Sequence, residues 1–216
     1  MLHIHCTNDP MFAQNGRVIH TDESKDCWII DPGLPPHADE MVRYITENGL
    51  TPAAILLTHA HADHLAGLDD VRAAFPDAAV YLAQEEHSFL SDAKTNLSAQ
   101  IGIPHAVSDE DVRDLAEGTV LNLGGTEWRA LDTSGHSPGG RSIYCEAEKT
   151  VIVGDALFAG SIGRTDFVHS DHPRLIHNLT EKLLTLPDDT RVLSGHGPDT
   201  TIGVERRTNP YLAQGL

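Results

Sequence analysis

Residues 58 to 67 read T-H-A-H-A-D-H-L-A-G, which places His59, His61, Asp63 and His64 within six positions with only alanine between them. Imidazole and carboxylate donors without thiolates suit borderline divalent ions such as zinc, iron, manganese or nickel. His59 and His61, two apart in an extended loop, point the same way and can grip one ion. Asp63 and His64 fall where the loop enters the next helix, and their different direction suits a second ion. A solvated loop with Asp63 capping a helix is the plain alternative, and the strands elsewhere in the chain weigh against it.

Four apolar strands each stop at a histidine or aspartate. AILLT runs into His59, WRALDTSG into His136, TVIVG into Asp155 and RVLSG into His196. Ligands far apart in sequence can thus meet at the carboxyl edge of a sheet core. Adding His136 to His59 and His61, and His196 to Asp63 and His64, gives three protein ligands to each of two ions. Asp155 is placed to bridge both, with positions left for water and substrate. Ser-Gly precedes both His136 and His196, which lets the backbone turn sharply beside a bulky ligand.

The remaining elements fit that frame. LHIHCT, RVIHT and CWIID read as a β-meander closed by the turn Asp31-Pro32-Gly33. AAVYLA (78 to 83) and SIYCEA (142 to 147) add strands. Amphipathic spacing predicts helices over His37 to Asn48, His64 to Ala74 and His172 to Leu186. Many strands with a few such helices imply an α/β layered sandwich, one continuous domain over 1–216. No linker, repeat or low-complexity stretch interrupts it.

With 32 acidic against 15 basic residues the net charge is −17, which disfavours nucleic acid and anionic membrane surfaces. No apolar run is long enough to span a bilayer, and the N-terminus MLHIHCTNDP lacks a secretory pattern, so a cytoplasmic location is expected. Cys6, Cys27 and Cys145 are odd in number and widely spaced, which argues for buried small hydrophobes rather than a disulfide framework. Nine of the fourteen histidines, among them His3, His5, His20 and His105, lie outside the ligand set and are expected to be solvent-facing or to pack ordinarily.

The H-x-H-x-D-H segment followed by a separate His, Asp and His resembles the signature of the metallo-β-lactamase superfamily, with every ligand position present. Within it the chain is similar to the glyoxalase II (hydroxyacylglutathione hydrolase) group, in its short single-domain bacterial form. That similarity rests on G-H-S-P-G at 135 to 139, G-D-A-L-F-A-G-S-I-G-R-T-D-F at 154 to 167, and S-G-H-G-P-D-T-T-I-G-V-E-R-R-T-N-P at 194 to 210. The resemblance implies the αββα sandwich, two mixed β-sheets packed face to face with helices on both outer faces. It also implies two divalent ions, zinc first with iron or manganese as alternatives, and no C-terminal helical domain for glutathione. Asp31 is then expected to support the metal loop, Arg164 to hold a substrate carboxylate, and Asp166 to brace the loop beside it.

The reaction so implied is hydrolysis of a thioester such as S-lactoylglutathione by a monomer or homodimer. A water held between the ions, with its pKa lowered toward roughly 7, is the expected nucleophile, with Asp63 beside it. The thiol leaves near its own pKa of roughly 8.5 and needs no dedicated acid. The strongest rival is a persulfide dioxygenase using one iron at His59, His136 and Asp155; S-G-H-G-P-D at 194 to 199 favours hydrolysis. A lactonase is a further alternative. A β-lactamase and a nuclease fit less well, the first because of G-R-T-D, the second because of the charge.

Overall fold

A computed structural model describes residues 1–212, so positions 213–216 of the expected domain lie outside the described residues. The chain forms two compact units: Met1–Leu115 with Asn122–Gly125, and Ala116–Leu121 with the chain from Thr126 onward.

The first unit carries β1 (Leu2–Asn8), β2 (Asn15–Thr21), β3 (Asp26–Ile30), α1 (His37–Glu47), β4 (Thr51–Leu56), α2 (Ala62–Leu65), α3 (Leu68–Ala74), β5 (Ala79–Leu82), a 3₁₀ turn over Gln84–Phe89, and β6 (Val112–Asp114). Its strands form one mixed sheet in simple sequential order, antiparallel from β1 to β3 and parallel from β3 to β6. Alternation along the strands assigns one face to the helices. Val18, Cys27, Ile29, Ile55, Leu57, Val80 and Leu82 share a core with Met41 and Ile45 of α1 and with Leu68 and Val71 of α3. Residues of the opposite parity, such as Ile19, Trp28, Ile30 and Leu56, are buried too. Burial on both faces explains why these strands read as continuous apolar runs.

The second sheet has the order β14-β13-β10-β9-β8-β7. Its strands are β7 (Val120–Leu123), β8 (Thr126–Asp132), β9 (Arg141–Cys145), β10 (Thr150–Gly154), β13 (Arg191–Ser194) and β14 (Thr200–Thr201), and a small hairpin joins β11 (Leu157–Phe158) to β12 (Ser161–Ile162). It is mixed as well: β10 runs parallel to β13 and antiparallel to β9. Val151, Val153 and Val192 pack with Leu175 of α4 (His172–Asn178), with Leu179 and Leu183, and with Ile202 of α5 (Ile202–Thr208).

Three expectations change. The helix predicted over 64–74 is two helices, because Gly67 donates its amide to Gly33 O at 2.6 Å and its Cα lies so near Ala38 that a Cβ would come within 2.8 Å. The helix predicted over 172–186 gives way to a π-turn at Leu179–Leu183, where the Leu184 amide reaches Leu179 O at 2.9 Å. Cys27 and Cys145 are buried but Cys6 is exposed, and all three are free thiols. Burial, with Asp26 nearby, pushes the Cys27 thiol up to about 12, so it is inert. The expected ordinary packing of the N-terminal histidines is observed: His3 stacks on His20, and His5 on Tyr44. No helix among the described residues is long and apolar enough to cross a membrane.

Candidate metal centre

In the first unit, β4 ends at Leu56 and the chain continues extended through Leu57 and Thr58 to the ligand loop. His59 Nε2 and His61 Nδ1 lie 3.0 Å apart with their rings nearly perpendicular. Two donors about 2.0 Å from one tetrahedral ion are themselves about 3.3 Å apart, so this separation fits two ligands sharing an ion. His64 Nε2 lies 3.8 Å from Asp63 Oδ2. His59, His61 and His64 are buried, and Asp63 keeps partial exposure.

For His59 and His64 the nitrogen turned away from these meeting points has a partner of its own. Asp31 accepts from the Thr58 amide at 2.8 Å and the Thr58 hydroxyl at 2.7 Å, and from His64 Nδ1 at 2.9 Å. Thr58 Oγ1 in turn lies 3.1 Å from His59 Nδ1. A proton held on Nδ1 of His59 and His64 leaves each Nε2 a lone pair, the tautomer a cation needs. Asp31 is itself in the left-handed region (φ 47°), and the turn it opens returns Gly33 N to His64 O at 3.1 Å. Asp31 thus bonds to Thr58 and His64 of this segment, and the sequence reading missed Thr58.

The second unit builds its set from three strand ends. Register pairs Gly154 with Ser194, and Gly195 N reaches Gly154 O at 2.7 Å, so Asp155 and His196 leave neighbouring parallel strands together. Asp155 Oδ2 lies 3.3 Å from His196 Nε2 and 3.5 Å from His136 Nε2. One carboxylate oxygen facing two imidazole nitrogens at ligand-to-ligand spacing fits a bridging position. His136 Nδ1 is held by the Arg164 carbonyl at 2.8 Å, which again leaves Nε2 as the donor. Gly163 makes this closeness attainable, since a Cβ there would fall 1.9 Å from Asp155 O and 2.9 Å from His136 Cβ. Gly135 (φ 134°) does the same beneath His136, against the Leu175 backbone.

Asp132, at the end of β8, anchors the turn that carries His136. It accepts from the Ser134 amide at 2.9 Å and the Ser134 hydroxyl at 2.5 Å, and it faces Arg174 and Arg141. Burial alone would raise its pKa. The Ser134 donors and Arg141 outweigh burial and hold the carboxyl below its ordinary range.

The match to the sequence model of the metallo-beta-lactamase superfamily covers residues 17–196, which takes in all seven of these side chains. The chain belongs to that superfamily. The "Probable metallo-hydrolase YqgX" of Bacillus subtilis is 47% identical over 86% of this chain and 87% of its own. The "Hydroxyacylglutathione hydrolase GloC" of Haemophilus influenzae is 36% identical over 93% of each. Among solved structures, BLEG-1 B3 metallo-beta-lactamase superposes with a TM-score of 0.90 at 38% identity, over 98% of this chain and 99% of that one. This member of the superfamily therefore has the αββα metallo-β-lactamase fold, and His/Asp groups that could hold a metal ion are among its described residues.

Arg164 is exposed, and its guanidinium is engaged in a two-pronged pair with Asp166, at 2.7 and 2.6 Å, above the Phe167 ring. The Asp166 contact raises the Arg164 pKa and lowers that of Asp166. Asp166 thus pairs with the Arg164 side chain, while the Arg164 carbonyl meets His136 Nδ1.

Proposed function

We propose that the chain is a binuclear metal-dependent hydrolase of thioesters, of the hydroxyacylglutathione hydrolase type, acting as one domain over 1–216. In this reading His59, His61 and His136 hold one ion, Asp63, His64 and His196 the other, and Asp155 bridges. The observation that carries it is the set of partners at Nδ1: His59, His64 and His136 each have Nδ1 beside an oxygen that can accept its proton, which leaves three Nε2 lone pairs available to cations. The donor set of nitrogen and oxygen favours zinc, with iron or manganese as alternatives. When bound, two such ions supply a water of lowered pKa and polarise a carbonyl.

The chain's own residues complete the chemistry. Asp63, less buried than its histidine neighbours, is the proposed acceptor of the proton that an attacking water would give up. A thiolate leaving group needs no dedicated acid. Arg164 is the proposed contact for a substrate carboxylate, made by exchanging Asp166 for it. Thioesters derived from glutathione are favoured among substrates by the similarity to GloC.

Purified protein assayed side by side on S-lactoylglutathione, on a chromogenic β-lactam and, by oxygen uptake, on glutathione persulfide separates the readings. Thioester cleavage well above the other two activities is expected. Oxygen uptake with one iron per chain and no thioester cleavage would establish the dioxygenase instead, and dominant β-lactam cleavage would move the chain toward BLEG-1.

A further inference from the structure

Glu86 lies in the 3₁₀ turn Gln84–Phe89 between exposed Gln84 and Glu85 on one side and half-buried His87 on the other, yet it is wholly buried. Its Oε2 accepts from the amide of Ala60 at 2.5 Å, and Ala60 is the residue between His59 and His61. Two residues on, the Ala62 amide donates to Asn96 O at 2.8 Å. Asn96 is buried and pinned in turn, its side-chain amide on His105 O at 3.0 Å and its Oδ1 under the Ser98 amide at 3.0 Å. Alternate amides of an extended stretch leave on the same side, as they do toward a neighbouring strand. The segment 84–98 thus acts as a two-point substitute for a strand along the ligand loop.

A backbone carbonyl would satisfy the Ala60 amide equally well. Burying a carboxylate there instead carries a desolvation cost, to whose offset a cation held by the flanking His59 and His61 would add. The geometry points to Glu86 as a positioning residue for the ion at His59 and His61: it fixes the peptide joining the two ligands and favours their cation over the empty pair. This inference rests on the two-metal reading above.

The test compares wild type, Glu86→Ala, Glu86→Gln and the exposed control Glu85→Ala. Each is loaded with zinc, and release to a chelator is followed as ions per chain, with thermal melts of loaded and metal-free protein alongside. Glu86→Ala is expected to release one ion about 10- to 100-fold faster than wild type, the range for lost partners of metal ligands. The second ion should be kept, and the rise in melting temperature on loading should shrink. Glu86→Gln retains the acceptor but not the charge and should fall between the two, while Glu85→Ala matches wild type. A folded Glu86→Ala with wild-type release overturns the proposal; if Glu86→Ala does not fold, wild-type release by Glu86→Gln overturns it. Equal loss of stability with and without metal would make Glu86 merely structural and also overturn it. A wild type holding one ion refutes the two-metal reading but leaves the effect of Glu86 on that ion measurable, so the two failures are distinct.

Discussion

The two ligand sets solve the same problem by opposite means. The first packs four candidate ligands into six residues of one loop, so the chain has only to hold a short extended stretch. Asp31, Thr58, Glu86 and Asn96 do so through hydrogen bonds to its rings and amides. The second collects His136, Asp155 and His196 from three strand ends, and it relies on close backbone approach at Gly135 and Gly163 and on the parallel pairing of β10 with β13. A local set is protected by its polar supports. A dispersed set is protected by sheet register and by the absence of side chains where backbones meet.

Replacing a ligand should have the largest effect and should be equally severe in either set. Asp155→Ala or His61→Ala is expected to lower kcat/KM by more than the roughly 100-fold that loss of a supporting partner produces, with fewer ions per chain by elemental analysis. Below that, the sets should diverge. Gly163→Ala forces a Cβ against Asp155 O and His136 and should destabilise by about 1–3 kcal/mol, as overpacking does. Denaturant melts check this, and an unchanged midpoint would show that the second set is more pliant than its geometry indicates. Asp31→Asn keeps an acceptor but presents an amide to groups that donate. It should weaken metal binding about 10-fold while leaving the fold intact. If Asp31→Asn unfolds the protein and Gly163→Ala only loosens metal, the contrast between the sets is reversed.

How much of this could be read from the amino-acid order follows from the same contrast. H-x-H-x-D-H is contiguous and needs no tertiary knowledge. The positions of Asp155 and His196 are also readable, because the buried parallel strands β10 and β13 are largely apolar runs and a His or Asp at their end stands out, whereas β8 before His136 is antiparallel and alternates. The supports were not. Glu86 sits in Q-E-E-H among residues that look like a solvated face, and only the fold shows which of the two glutamates turns inward. Thr58 reads as the last residue of a strand. The helix break at Gly67 depends on a loop more than thirty residues earlier in sequence, and the π-turn at Leu179–Leu183 leaves no local mark. Short elements such as β6, β11, β12 and β14 are too brief for periodicity to register.

Smaller effects refine the second set. Asp132 has its carboxyl held below the ordinary range, so its contribution to stability is complete above the unfolded pKa of about 3.9 and is lost as pH falls through the lower folded value. Wild type should therefore lose stability on acidification below about pH 4, and Asp132→Asn should lose less. Because the carboxylate is partly exposed, a difference under about 1 kcal/mol is expected in melts across pH. Arg164→Ala should have the least consequence. Exchanging Asp166 for a substrate carboxylate gains little at an exposed site, so a rise in KM of under about five-fold is expected. It should be confined to anionic thioesters, and an equal change for neutral ones would remove Arg164 from substrate binding.

The central claim of the proposed function is that hydrolysis needs two ions. Metal-free protein titrated with zinc while S-lactoylglutathione hydrolysis is followed tests it most directly. Activity that stays low through the first equivalent and rises to its plateau with the second is the predicted result. Full hydrolysis after one equivalent, with no further gain from the next, would contradict it.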